Sequence, residues 1–231
     1  KLTILASLAF GMPLLFEKAF TEGISKITRE DVQYAEELGY RIKHLGITRR
    51  AENGVELRVH PTLIPESALI ANVNGVMNAV LVDGDAVGQT MYYGAGAGAE
   101  PTASAVVADI VDVVRTLTAD RDNRVPHLAF QPTELSDAQV LPVEQTESAY
   151  YLRMNAEEKP GVLAKITSIL GAQGINIEAI IQKETSEDQV PVIILTQSVL
   201  EQKVNDAIAQ IEALDEIGGS VTRIRVEHFD S

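Results

Sequence analysis

The 231 residues are 45% hydrophobic and 23% charged, enough apolar material for a substantial core in one large domain or two small ones. Lys and Arg number 19 against 33 Asp and Glu, and the formal charge of −14 opposes a broad nucleic-acid-binding face or attachment to anionic lipid. The lack of cysteine excludes disulfides, thiolate nucleophiles and cysteine metal sites, and is compatible with a cytoplasmic location.

Leu2 to Phe16 is apolar enough to imitate a secretory signal but lacks a basic cluster and a small-residue cleavage site. Pro13, Glu17 and Lys18 interrupt it too soon for a bilayer span, so a buried helix is expected. The chain opens at Lys1 with neither a methionine nor a helix cap, which leads us to expect that Lys1 is an internal position of a longer polypeptide. Thr28 then caps an amphipathic helix running through Leu38 and ended by Gly39. Its acidic residues Glu30, Asp31, Glu36 and Glu37 read as a solvated face.

Strand signals follow. Tyr40 to Thr48 and Val55 to Leu63 flank Glu52-Asn53-Gly54, and Ala79 to Val82 and Ala86 to Tyr93 flank Asp83-Gly84-Asp85, giving two antiparallel hairpins. After the glycine-rich run Gly94 to Gly98 and Pro101, a helix from Thr102 to Leu117 is apolar on most of its circumference and is expected to be deeply buried. Between Thr118 and Glu147 the periodicity fades among Pro126, Pro132 and Pro142, the composition of a connector. From Ser148 the order is strand, helix, strand, strand, helix, strand, the βαββαβ arrangement of the ferredoxin-like class, with two helices on one face of four antiparallel strands. The fold class is therefore α+β, divided into 1–125, a linker 126–147 and 148–231.

Gly94, Gly96 and Gly98 lie between a strand and a helix, where backbone N–H groups can approach a phosphate or a nicotinamide. With Ala99 the spacing fits G-x-G-x-x-G/A, yet no ribose-binding acid follows on a second strand, so the run also reads as a tight turn for close helix packing. Lys1 abuts an apolar run, a setting in which a lysine can serve in proton transfer, although most lysines are solvated surface charges. His44, His60, His127 and His228 have no metal-ligand spacing and read as structural or surface residues; no metal site is expected. Glu158-Lys159-Pro160-Gly161 leads into Val162 at a helix start, which serves either to open the helix or to hold a carboxylate on free N–H groups. Asn176, in Gly174-Ile175-Asn176-Ile177, is expected at the same end of the sheet, as a ligand contact or a loop-closing residue.

Four ordered blocks carry a family resemblance. They are Arg58-Val59-His60-Pro61-Thr62-Leu63-Ile64-Pro65; Asn74-Gly75-Val76 with Asn78-Ala79-Val80; Gly84-Asp85; and Tyr93 to Gly98 with Pro101-Thr102-Ala103-Ser104-Ala105-Val106-Val107-Ala108-Asp109. In order and spacing they resemble the catalytic region of homoserine dehydrogenase from Lys1 to about Leu117. The remainder, with Lys159-Pro160-Gly161-Val162-Leu163-Ala164 and Gly174-Ile175-Asn176-Ile177, resembles an ACT domain. The resemblance implies NAD(P)H-dependent reduction of aspartate semialdehyde to homoserine, on the way to threonine and methionine. It implies Lys1 as the proton donor to the forming alkoxide and Gly96, Ala97 and Gly98 as a loop approaching NADP or NAD. It also implies an amino-acid effector, threonine, held near Gly161, Val162 and Asn176 by paired ACT domains. The family's acidic substrate residues, monovalent-metal loop and dinucleotide fold would precede residue 1, so this chain alone is expected to be inactive. One departure is Glu158 where the family commonly has Asp before Lys-Pro-Gly, which bears on the ligand. A homodimer or higher homo-oligomer through the apolar strands and helix is expected. Two other readings compete: a non-catalytic amino-acid sensor, and an enzyme whose glycine loop binds a mononucleotide phosphate.

Overall fold

The computed structural model describes residues 1–119, 125–182 and 189–229. Helix α1 spans Leu2–Phe10 and stops earlier than its apolar run, because Gly11 turns into the left-handed region (φ 61°, ψ 41°) and Pro13 follows. Thr28 caps α2 (Arg29–Glu37) as expected: its hydroxyl accepts from the Asp31 N–H while the Asp31 carboxylate accepts from the Thr28 N–H, a reciprocal capping box.

Strands β2 (Tyr40–Ala51) and β3 (Gly54–Pro65) pair antiparallel from Tyr40 opposite Pro65 to Ala51 opposite Gly54. A short β1 (Phe20–Thr21) lies parallel to β3 on its other side. The second hairpin, β4 (Met77–Gly84) with β5 (Gly88–Ala95), forms its own two-stranded sheet and leads into α3 (Ala99–Thr118). Here, as on the outer side of α1, where Ile4, Leu5 and Leu8 stand exposed and only Ala6 and Ser7 are buried, the expectation of a buried helix fails. No residue of α3 is buried, and Val107, Ile110 and Val113 stand exposed. An apolar circumference calls for burial, but burial needs an element to lie against, and the described residues place none there.

The second half supplies β6 (Glu147–Glu157), α4 (Val162–Ala172), β7 (Ile177–Gln182), β8 (Gln189–Thr196), the two-residue β9 (Val199–Leu200), α5 (Glu201–Glu212) and β10 (Ile217–Val226). Its four main strands run in the order β10-β6-β8-β7, each antiparallel to its neighbour, as the βαββαβ reading requires. That sheet does not end at β10. Arg225 and Val226 pair in parallel with Thr62 and Leu63 of β3, so one eight-stranded mixed sheet runs through both halves.

The shared sheet has helices on both faces. Tyr150, Leu152, Met154 and Ala156 of β6 point toward α4 and α5, packing with Ile166, Leu170, Val204 and Ile211. Ala149 and Tyr151 point the other way, against Tyr34 and Ala35 of α2 and Leu63 of β3. A third cluster joins Ala6 and Met12 to Val55, Leu57 and Val140. Val140 comes from the connector, which packs on the first hairpin: the Val55 N–H donates to the Gln139 carbonyl (2.8 Å), and the Leu141 N–H donates back to Val55 (2.9 Å). The segment that reads as a linker is thus laid down as structure between the halves.

Candidate functional site

The sequence-derived site residues fall into three places. Lys1 stands exposed at the start of α1, and its carbonyl accepts from the Leu5 N–H (3.2 Å), so the helix begins directly behind it. The side of α1 that faces inward rests on the first hairpin, where Leu2 covers Gly46 at 3.4 Å from the position a Cβ would take. Lys1 is thereby mounted on the large sheet.

Gly96, Ala97 and Gly98 lie on the other sheet, between β5 and α3, and are exposed. The Gly96 N–H donates to the Val76 carbonyl (2.8 Å), folding the loop back over the start of β4. A Cβ on Gly96 would lie 1.6 Å from Asn78 Nδ2, so a larger residue fits only if that side chain or the loop shifts. Gly98 adopts φ 127° as the residue before α3, and no side chain caps the helix, which leaves the N–H groups of its first turn pointing outward. The arrangement suits an approaching anion or polar ring, although Glu100 in the first turn opposes a fully charged phosphate.

In the second half Gly161 takes φ 92° immediately before α4, and Val162 is buried. A recess of ≈ 260 Å³ opens there, lined by Glu157, Glu158, Lys159, Val162, Ile166 and Val190 among others. Lys159 pairs with Glu157 at 2.7 Å, both among the residues that line it. Apolar floor, charges of both signs at the rim and a helix N-terminus together match a small zwitterion. Asn176 does not join this recess. The 11 residues of α4 separate it from Gly161 by about 16 Å of helix, and its carbonyl accepts from Gln197 beside Thr196, at the end of β8 remote from Gln189. The sequence reading placed the two at one end of the sheet; a strand-helix-strand unit instead returns the chain to the end where β6 began.

Between these places lies a set of charged residues that sequence reasoning did not single out. Asp31, expected on a solvated helix face, is wholly buried. Arg153 Nε donates to its Oδ1 (2.6 Å), and the Tyr151 hydroxyl donates to the same oxygen (3.2 Å). Burial pushes the Asp31 carboxyl upward, but the bonds from Arg153 and Thr28 outweigh it and hold the pKa below the usual 3.8. On the opposite face Arg225 grips Glu201 with two bonds (2.7 and 2.6 Å) and Glu22 with a third (2.9 Å). Arg58 bonds Glu56 (3.0 Å) and Glu227 (3.1 Å), and Glu227 is also held by Arg49.

His60 completes this group. Arg58 Nη1 lies 2.8 Å from its Nε2, and because a guanidinium only donates, Nε2 is the acceptor and Nδ1 carries the proton toward the Pro61 carbonyl (3.0 Å). Burial, then the charges of Arg225 and Arg58, drive its pKa from 6.5 to about 3. The histidine is structural, and neutral at ordinary pH. Alternation in β10 carries the one signal that could have located this network. Ile224 and Val226 face α2, so Arg223 and Arg225 must face α5, where buried guanidiniums require carboxylate partners.

Comparison with known proteins follows the same division. The homoserine dehydrogenase family model matches residues 1–111, and the ACT domain model matches residues 150–213. The curated homoserine dehydrogenase of Pseudomonas aeruginosa is 66% identical over 232 residues, covering 100% of this chain and 54% of its own length. That of Neisseria gonorrhoeae is 54% identical over 228 residues, covering 98% and 52%. Among solved structures, a homoserine dehydrogenase from Thiobacillus denitrificans superposes with a TM-score of 0.93 at 66% identity over 99% of this chain and 52% of its own. The enzyme from S. aureus gives 0.66 at 26% identity. The chain spans about half the length of the curated relatives it matches.

Proposed function

The chain belongs to the homoserine dehydrogenase family, and on that premise we propose that the complete protein reduces L-aspartate 4-semialdehyde to L-homoserine with NADPH or NADH, on the route to threonine and methionine. The observation that carries this reading is the similarity, at 66% identity over 100% of this chain, that runs across both matched regions. The domain division proposed is 1–125 for catalysis and subunit contact, 126–147 as connector and 148–231 as the ACT regulatory unit.

Hydride addition to an aldehyde carbon leaves an oxyanion, which an adjacent ammonium can stabilise and then protonate. Lys1 fills that role in our reading: it is exposed, and a packed helix holds it from behind. Gly96, Ala97 and Gly98 fit a nicotinamide cofactor through bare backbone and the uncapped start of α3, with a Cβ at 96 accommodated only if Asn78 or the loop moves. The cofactor supplies the hydride when bound; these residues orient it. The family's dinucleotide-binding fold and monovalent-metal loop are assigned to the part of the protein outside these residues.

The recess at Gly161 and Val162 is the proposed effector site, with threonine as the ligand and feedback inhibition as its consequence. If one ligand touches both Gly161 and Asn176, it must take them from two copies of the chain, which is the paired arrangement the family resemblance implies. We therefore propose a homodimer or higher oligomer, acting in the cytoplasm. The test is NADPH- and NADH-dependent reduction of aspartate semialdehyde by the complete protein, with and without millimolar L-threonine. Activity suppressed by threonine supports both halves of the reading. Threonine binding without any reductase activity would instead favour a non-catalytic sensor.

A further inference from the structure

Arg225 is 1% exposed and belongs neither to the recess nor to the glycine loop. Its Nε and Nη2 donate to Glu201 (2.7 and 2.6 Å), the first residue of α5. Its Nη1 donates to Glu22 (2.9 Å), just past β1, and the guanidinium carbon lies 4.9 Å from the centroid of the Phe20 ring on that strand. The fork therefore reaches from a helix of the second half to a strand of the first, across 203 positions of sequence. The other titratable groups around it include Arg223, 3.4 Å from Glu201, the Tyr150 hydroxyl, which donates to Glu201 (3.2 Å), and Arg58 with neutral His60 on β3.

The strand it holds is the exit of the segment that begins at Lys1. Glu22 is fixed on the sheet side as well, its N–H donating to the Val59 carbonyl (2.8 Å). At the other end of the segment, the buried Ser7 hydroxyl of α1 donates to the Met12 carbonyl (2.6 Å), and Met12 is itself enclosed. Residues 12–22 are thus tied to α1 at one end and to Arg225 at the other.

We propose that Arg225 is a positioning residue that couples helix α5 of the ACT half to the Lys1-bearing segment, so that a shift of α5 is felt at residues 12–22. The proposal rests on the functional reading for its consequence, regulation of the reaction at Lys1, but the physical link is measurable without it. A lysine at 225 keeps the charge yet lacks the planar fork that gives Glu201 two bonds and Glu22 a third from separate nitrogens, which separates bridging from charge alone.

The experiment is hydrogen exchange of peptides covering residues 12–22 in the complete protein, for wild type, Glu201→Gln, Glu22→Gln, the double variant and Arg225→Lys. Glu201→Gln weakens the α5 side of the fork, together with the contacts of Glu201 to the Tyr150 hydroxyl (3.2 Å) and Arg223 (3.4 Å), and leaves Glu22 untouched. We expect it to raise exchange in 12–22 about tenfold, with Glu22→Gln and Arg225→Lys doing the same and the double variant going no further than either single one. Exchange in 12–22 that stays at the wild-type rate in Glu201→Gln, or effects that simply add in the double variant, would overturn the coupling. In parallel, a wild-type enzyme indifferent to L-threonine overturns the effector assignment alone, and the exchange result still decides the link.

Discussion

Asp31 and Arg153, 122 positions apart, share a 2.6 Å ion pair that fastens α2 of the first half to β6 of the second. The same carboxylate accepts from the Thr28 N–H (2.9 Å) and hydroxyl (2.7 Å), so one side chain both caps a helix and bonds across the halves. Replacing Asp31 by Ala leaves Arg153 with exposed Glu30 as its remaining carboxylate and removes the reciprocal half of the capping box, the bond from the Thr28 N–H, while the Thr28 hydroxyl still caps the helix. We predict a loss of about 3–5 kcal/mol of stability, the usual result of stripping one partner from a buried pair. Urea unfolding followed by tyrosine fluorescence measures it, and a loss no larger than that of a surface pair would contradict the assignment.

The acid limb of stability should begin at His60. Its folded pKa, about 3, lies below the ordinary 6.5, so the unfolded chain takes up a proton that the folded chain refuses. The contribution is whole above 6.5 and is lost as pH falls toward 3, on the order of a few kcal/mol in all. Asp31, whose pKa is also lowered, begins to cost stability only below its ordinary 3.8. His60→Gln, which keeps an acceptor for Arg58, is predicted to flatten the decline between 6.5 and 3; thermal melts across that range would show an unchanged slope if the histidine were not responsible.

These buried charges mark the limit of what the sequence makes legible. Period and turn chemistry located nearly every helix and strand, and the four motif blocks named the family, because both are local signals. What the sequence reading missed depends on which surfaces meet. Asp31 looks solvated until Arg153 arrives from β6, and the apolar α3 looks buried until no described element is found against it. Likewise the return from helix into strand at residues 174–177 suggests that Asn176 comes back to the end of the sheet where Gly161 lies, whereas the length of α4 places them apart. Composition identifies the connector but not its packing partner: its Val140 packs with Val55.

Gly96→Ala tests the glycine loop. The new methyl meets Asn78 at 1.6 Å from Nδ2 and 2.4 Å from Cγ, so the loop or the asparagine must move. In the complete protein we predict a KM for the nicotinamide cofactor raised about tenfold, a change equivalent to roughly 1.4 kcal/mol of lost binding, and partly restored by adding Asn78→Ala. Steady-state kinetics with cofactor as the varied substrate decides it; an unchanged KM would remove the loop from cofactor contact.

Gly161→Ala tests the effector recess. Nothing lies within 4 Å of the added Cβ, so its effect comes from backbone strain at φ 92°, about 1–2 kcal/mol. The start of α4 should shift, raising the L-threonine concentration for half-inhibition about tenfold. Inhibition curves identical to wild type would move the effector elsewhere.

The most direct test of the central claim is the rate of aspartate semialdehyde reduction by the complete protein carrying Lys1→Ala. If Lys1 delivers the proton to the forming alkoxide, kcat falls by about 10²–10⁴ while cofactor binding, read by fluorescence titration, is retained. Turnover equal to wild type would contradict the account, and proton delivery would have to be sought at another residue.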